Sequence, residues 1–332
     1  MNELRFNRIT GEWVIVASER ARRKHDAGSI GKEKEILPEW KEDCPFCPGN
    51  EANTPEELFS YKDEKSSRWR LRVIPNKFPV VSEDKETIQT EGFFRKRSAC
   101  GFHYVIVETP YHNRDIPEMS GPEVFDVVRA YFECVKYLYK NPWIKSVILF
   151  RNHGREAGTS LIHPHSQIVG LAFVPTHIMD LFNIARCYAH ENGRCVYCDT
   201  ISAERNARER VIYENSHFVA FVPYAAKLQY EVHIMPKVHQ SHFGELDTEG
   251  LYSLATALQK VLRALKLALE DPAYNLVLHT APSYLKNVDY YHWYIEITPR
   301  LTIPAGLEMG SGITVNISMP EENARTLREK IN

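Results

Sequence analysis

The sequence predicts an α+β protein made of two copies of one unit, and three observations carry the prediction. Residue types recur in one order in both halves: a Cys-x-x-Cys pair, a strand-like run ending at a histidine, a long amphipathic stretch, then two strand-like runs. The long stretches repeat apolar residues at three-and-four spacing, the mark of a helix with one buried face. A length of 332 residues, 43% of them hydrophobic and 25% charged, leaves room for about two domains with a real core. The halves are taken as residues 1–172 and 173–332, with mostly antiparallel sheets flanked by helices.

In the first half the cysteine pair is "CPFC", Cys44 and Cys47. "LRVIPNKFPVV" and "HYVIVETPYH" read as strands, the second ending at His112. "GPEVFDVVRAYFECVKYLYKNP" reads as a helix through Val124, Val127, Val128, Tyr131 and Val135, stopping before Pro142. The strands "KSVILFRNHG" and "IHPHSQIVG" follow. In the second half the pair is "CVYC", Cys195 and Cys198, with strands in "RVIYENSHFVAFVPY" and in "YEVHIMPKVH", which ends at His239. The second helix carries Leu251, Leu254, Leu258, Leu262 and Leu265 and stops before Pro272; "AYNLVLHT" and "YHWYIEIT" close the unit.

Each half therefore offers Cys, Cys, His, His. His112 and His163 are 51 residues apart, and His239 and His292 are 53 apart. Seven cysteines is an odd number, and Cys-x-x-Cys pairs in a reducing compartment serve more often as metal clips than as disulfides. Two thiolates and two imidazoles complete a tetrahedral zinc shell and leave no open coordination position. Two structural zinc sites are thus predicted: Cys44, Cys47, His112 and His163, then Cys195, Cys198, His239 and His292. Fourteen histidines make chance alignment the competing reading, with His103, His153, His233 and His279 among the rivals. Cys100, Cys134 and Cys187 are left as buried thiols or bystanders.

The bulk numbers exclude several classes. A formal net charge of -2 with no basic stripe argues against a nucleic-acid partner. No apolar run reaches the length of a membrane helix, about eighteen residues. "MNELRFNRITGEWVIV" has no apolar core or cleavage site of a secretion signal, so a cytoplasmic location is expected.

Within "IHPHSQI", His163, His165 and Gln167 would share one face of a strand, with Pro164 and Ser166 facing away. With His163 at the start of the strand holding metal, His165 is left as an aligned, free imidazole. The second half has His292, Tyr294 and Glu296 at the matching positions, so no second free imidazole stands there. A neutral imidazole is a competent nucleophile and, once phosphorylated, a good leaving group. The preceding loop "FRNHGREAGTS" offers backbone N–H groups and hydroxyls at Gly154, Gly158, Thr159 and Ser160, and charge at Arg151 and Arg155, a composition that suits phosphate oxygens.

"HPHSQ" with its upstream "RNHG" and "GTS", together with "NRITGEWVIVASERARR" at residues 7–23, resembles the galactose-1-phosphate uridylyltransferase branch of the histidine-triad superfamily. The resemblance spans essentially the whole chain, and "HPHSQI", the second cysteine pair and "HW" are also similar to the ADP-glucose phosphorylase-like members. It implies two tandem histidine-triad-like halves, zinc-stabilised, the second lacking the nucleophilic histidine. It implies a ping-pong reaction in which His165 takes the nucleotidyl group and Gln167 binds the phosphoryl oxygens as their charge shifts. By position it implies phosphate contacts from Asn152, Gly158 and Ser160, a nucleotide contact from Asn76, and steering of anionic groups by Arg20 and Arg23. The eight cysteine and histidine positions match the zinc ligands, and a homodimer is implied as well.

Three positions depart from the uridylyltransferase pattern: Ser166 stands for glycine, Lys77 for an acidic residue, and Gly306-Leu307-Glu308 for Gly-Tyr-Glu. The expected function is uridylyl transfer from UDP-glucose to a hexose 1-phosphate, with galactose 1-phosphate as the acceptor. An ADP-glucose phosphorylase or adenylyltransferase is the alternative, and a zinc-braced nucleotide-binding protein without turnover is the third reading. Trp13 and Trp293 are expected to be core or interface anchors.

Overall fold

The computed structural model describes residues 2–19, 37–84, 88–285 and 287–331. Arg20 and Arg23 lie outside the described residues. The strands of the first half are β1 (Glu3–Asn7), β2 (Glu12–Val16), β3 (Phe59–Lys62), β4 (Trp69–Pro75), β5 (Ile88–Glu91), β6 (Phe94–Arg97), β7 (Gly101–Val107), β8 (Ser146–His153) and β9 (His165–Leu171). Those of the second half are β10 (Val211–Glu214), β11 (Phe218–Phe221), β12 (Val232–Pro236), β13 (Tyr274–His279), β14 (Tyr294–Pro299) and β15 (Thr314–Asn316). The helices are α1 (Gly121–Tyr139), α2 (Thr176–Asn192), α3 (Val196–Ala207), α4 (Thr248–Leu269), α5 (Gly306–Ser311) and α6 (Pro320–Lys330).

Ten strands form one sheet in the order β10-β11-β12-β14-β13-β8-β9-β7-β4-β3. Read outward from the middle, β8-β9-β7-β4-β3 mirrors β13-β14-β12-β11-β10, so the repeat in the sequence is a repeat in space. The halves meet where β8 pairs antiparallel with β13, Leu149 opposite Leu278 and His153 opposite Tyr274. Two small sheets, β1-β2-β15 and the β5-β6 hairpin, stand apart.

Both predicted helices form. In α1 the Glu123 carboxylate accepts from the Ser120 N–H at 2.7 Å, and Pro122 sits in the first turn, where a missing N–H costs nothing. In α4 Asp247 accepts from the Gly250 N–H at 2.8 Å, and Glu270 ends the helix in the left-handed conformation (φ 56°). Their apolar faces join one core with alternate residues of the sheet: Leu71, Val73, Ile106, Leu149 and Ile168 from the first half, Ile234, Leu276, Ile295 and Ile297 from the second. The other face carries Val105 and Val107 beside the first cysteine pair, and Val219, Phe221 and Tyr294 beneath α2 and α3. Trp293 is fully buried, as expected of an anchor; Trp13 is half exposed and leans on Phe6, so it is no core residue.

Candidate active site and metal centres

Each Cys-x-x-Cys pair meets its two predicted histidines. Cys44, Cys47, His112 and His163 converge with all ligand atoms within 4.8 Å of one another, and so do Cys195, Cys198, His239 and His292. In the first group the Sγ···Nδ1 separations are 3.5 Å to His112 and 3.6–3.7 Å to His163. A tetrahedron with about 2.3 Å to sulfur and about 2.0 Å to nitrogen has S···N edges of about 3.5 Å, so the spacing suits zinc. In three of the four rings the nitrogen not aimed at sulfur is anchored on a backbone carbonyl: His163 Nε2 on Thr109 O (2.8 Å), His239 on Val288 O (3.0 Å), His292 on Pro236 O (2.9 Å). A carbonyl only accepts, so Nε2 carries the proton and Nδ1 presents its lone pair inward, as a metal ligand must. Burial pushes the Cys44 thiol up to about 11 and lowers His163 to about 4, so without a cation this pocket favours neutral groups. Among the rival histidines, His233 pairs with Glu231 (3.0 Å), His279 with Glu296 (3.1 Å) and His153 with Asp115 (3.0 Å), and none of them joins either cluster.

His163 is not the first residue of the strand. It occupies the bend before β9, which begins at His165, because its ring must turn toward the cysteines while the next residue is proline. The one-face row therefore consists of His165 and Gln167 alone. His165 is buried, and Phe46, between the two cysteines of the first clip, packs edge-on against it with ring centroids 5.4 Å apart. His165 Nδ1 donates to the His163 carbonyl at 2.8 Å, which leaves Nε2 unprotonated. Burial holds its pKa below the ordinary imidazole value, against the His163 carbonyl and the Glu108 charge, which pull it upward. A neutral ring with one free lone pair results.

Gln167 is oriented by His103, which the sequence places only among the rival histidines, and by Asn76. The Val80 N–H donates to His103 Nδ1 at 3.2 Å, so Nε2 of His103 carries the proton and donates to Gln167 Oε1 at 2.9 Å. Asn76 Nδ2 approaches the same oxygen at 3.4 Å. With its carbonyl occupied, Gln167 has its NH₂ group to offer on the His165 side of β9. Asn152 lies near the end of β8, two residues beyond the Phe150–Gln167 pair, and its Oδ1 accepts from Asn275 at 2.7 Å. Asn275 also donates to Ala157 O at 2.9 Å, tying β13 to the connection that leads through Gly158 and Ser160 into β9. Gly158 has φ 85°, a left-handed conformation that favours glycine. Arg155 and Ser160 are exposed there.

Arg151 is not a phosphate ligand. Its side chain is fully buried behind the sheet, with Nε 3.0 Å from Glu108, Nη2 on Asp115 and Nη1 2.7 Å from Tyr274 Oη. On the strand of the second half, Tyr294 replaces His165 and stacks on His279 at 4.3 Å, filling the space a free imidazole would need.

The two halves match the N-terminal domain of galactose-1-phosphate uridyl transferase over residues 1–175 and its C-terminal domain over residues 182–302. The chain belongs to this family of nucleotidyltransferase enzymes. It is 34% identical to the ADP-glucose phosphorylase of Arabidopsis thaliana across 98% of this chain and 92% of that one. It is 31% identical to the galactose-1-phosphate uridylyltransferase of Thermotoga maritima across 99% and 98%. The crystal structure of the Arabidopsis ADP-glucose phosphorylase with bound ADP-glucose superposes with a TM-score of 0.85 at 31% identity, covering 99% and 98% of the two chains. A uridylyltransferase structure gives a TM-score of 0.76 at 30% identity, covering 100% and 98%.

Proposed function

We propose that the protein transfers a nucleoside monophosphate between sugar 1-phosphates, with UDP-glucose as donor and galactose 1-phosphate as acceptor. The observation that carries this reading is the His165 ring itself: neutral, with Nδ1–H tied to the His163 carbonyl and Nε2 free. Nε2 attacks the α-phosphorus, the bond to the hexose 1-phosphate oxygen breaks, and a nucleotidyl-histidine remains. As Nε2 becomes bonded, the ring gains positive charge, which the His163 carbonyl stabilises. The Gln167 NH₂ donates to a phosphoryl oxygen, and Asn152, Gly158 and Ser160 hold the phosphates. The second sugar phosphate then attacks the same phosphorus and frees His165. Asn76 contacts the nucleotide, and Arg20 and Arg23 steer the anionic substrates.

Zinc fills both Cys₂His₂ clusters in this reading and acts structurally, since each cluster supplies four protein ligands. The chain divides at about residue 172 into a catalytic half and a bracing half, works as a homodimer, and is cytoplasmic. Among the described residues no helix is long and apolar enough to cross a membrane. A second reading, adenylyl transfer from ADP-glucose to phosphate, is favoured by the higher TM-score to the ADP-glucose complex.

Incubation with UDP-glucose or ADP-glucose, each labelled in the α-phosphate, tests the reading. An acid-labile, base-stable protein label, absent from His165→Ala, is expected, and the better-labelling nucleotide identifies the base. Saturable binding of both sugars with no label and no product would replace the enzyme with a binding protein.

A further inference from the structure

A dipeptide that carries none of the proposed chemistry grips the chain on both sides of His165. The Glu108 N–H, just beyond β7, donates to the Pro164 carbonyl at 3.2 Å, and the Glu108 Oε1 accepts from Ser166 Oγ at 2.5 Å. The next carbonyl, that of Thr109, accepts from His163 Nε2 at 2.8 Å. Residues 163, 164 and 166 are thus tied to residues 108 and 109, and the residue left between them is His165.

The grip is itself fixed. The Glu108 carboxylate is fully buried against Arg151 Nε (3.0 Å) and Tyr131 Oη (2.7 Å), and Arg151 is held in turn by Asp115 and Tyr274. β8 and α1 thus meet the carboxylate directly, through Arg151 and Tyr131, and β13 and Asp115 brace it by holding Arg151. A buried ion pair is a poor source of net stability compared with apolar packing, and its best-attested use is to set register. Ser166 is fully buried on the face opposite His165, so its hydroxyl cannot serve the substrate side.

We propose that Glu108 and Ser166 are positioning residues: their hydrogen bond fixes the start of β9 and so aims the His165 Nε2. The inference rests on the reading of His165 as the group that takes the nucleotidyl residue. Removing the Ser166 hydroxyl lets residues 164–166 shift, and displacement of a reacting atom by a fraction of an ångström slows chemistry without changing how tightly substrate binds.

Ser166→Ala is compared with Val261→Ala, a fully buried α4 residue whose truncation costs stability far from β9. In Ser166→Ala the single-turnover rate of nucleotidylation should fall about tenfold or more, while metal content and the nucleotide-sugar Kd stay within twofold. Val261→Ala should keep its rate within twofold. Ser166→Ala at the unaltered rate, or Val261→Ala slowed equally, would overturn the assignment. If the unaltered protein forms no label at all, the functional reading has failed, and carbethoxylation of His165, read by peptide mass spectrometry, decides the inference. A change of threefold or more in Ser166→Ala alone upholds the positioning role, and an unchanged rate rejects it.

Discussion

The placement of one proton separates His165 from His163, two residues before it. In His163 the proton sits on Nε2 and faces the Thr109 carbonyl, which turns Nδ1 to the cysteines. In His165 it sits on Nδ1 and faces the His163 carbonyl, which turns Nε2 outward. The two residues should therefore fail differently. His163→Ala should lower bound metal by about one ion per chain and reduce thermal stability, whereas His165→Ala should leave metal content intact, both read by elemental analysis of the purified protein. His103 should behave as neither: His103→Ala frees the Gln167 carbonyl to rotate, so nucleotidylation should slow by about tenfold with metal unchanged, less than the loss of a whole donor would give. The two Cys₂His₂ groupings and the shared face of His165 and Gln167 were legible for different reasons: Cys-x-x-Cys brings two sulfurs together, the repeated order of the halves singles out the distant histidines, and period two puts 165 and 167 on one face. His103 and Glu108 were not, because their roles depend on β7 lying beside β9 with Val105 opposite Gln167 and Val107 opposite His165. No feature of the isolated segment announces that register.

Among the elements, α1 and α4 announced themselves through long apolar stripes, and truncation in them should cost accordingly. Leu258→Ala, at a fully buried α4 position, should lower unfolding free energy by about 2–5 kcal/mol in denaturant titration. α2 and α3 carry no such stripe: α2 buries only Leu181, Phe182 and Ala185, too few to stand out in the sequence. The strand β8 shows the opposite error. Its place before a glycine-containing loop suggests that Arg151 offers charge to phosphate oxygens, yet alternation turns Arg151 inward toward Glu108 and Asp115. The same network makes the end of β8 sensitive to pH. Burial alone would lower the His153 pKa, but Asp115 and Asp271 overcome it and raise it to about 9. A group whose folded pKa exceeds its unfolded value of about 6.5 contributes stability that is fully present below 6.5 and is lost as pH rises through 9. Stability should thus fall by up to about 3 kcal/mol across that window, and His153→Gln should flatten this component of the pH profile.

In the whole molecule the repeat does not produce two independent bodies. β8 and β13 pair at the centre of one sheet, and across that joint Arg151 bonds Tyr274 while Asn152 bonds Asn275. Tyr139 of α1 donates to the Ala281 carbonyl at 2.9 Å, and α1 and α4 bury their apolar faces in one shared core. Splitting the halves would strip water-excluding contacts from both helices and leave β8 as an unpaired apolar edge, a template for aggregation. The sequence displayed the duplication but not this joint, because two similar units can sit side by side as separate domains or share a sheet without any change in their internal pattern. The shared sheet makes a definite prediction for unfolding. Chemical denaturation followed by far-UV circular dichroism and by tryptophan fluorescence should give one coincident transition. Residues 1–172 expressed alone should aggregate rather than fold. Two separated transitions, or a monomeric and folded 1–172 fragment, would mean that the β8–β13 pairing adds little to stability and that each half is a unit able to stand by itself.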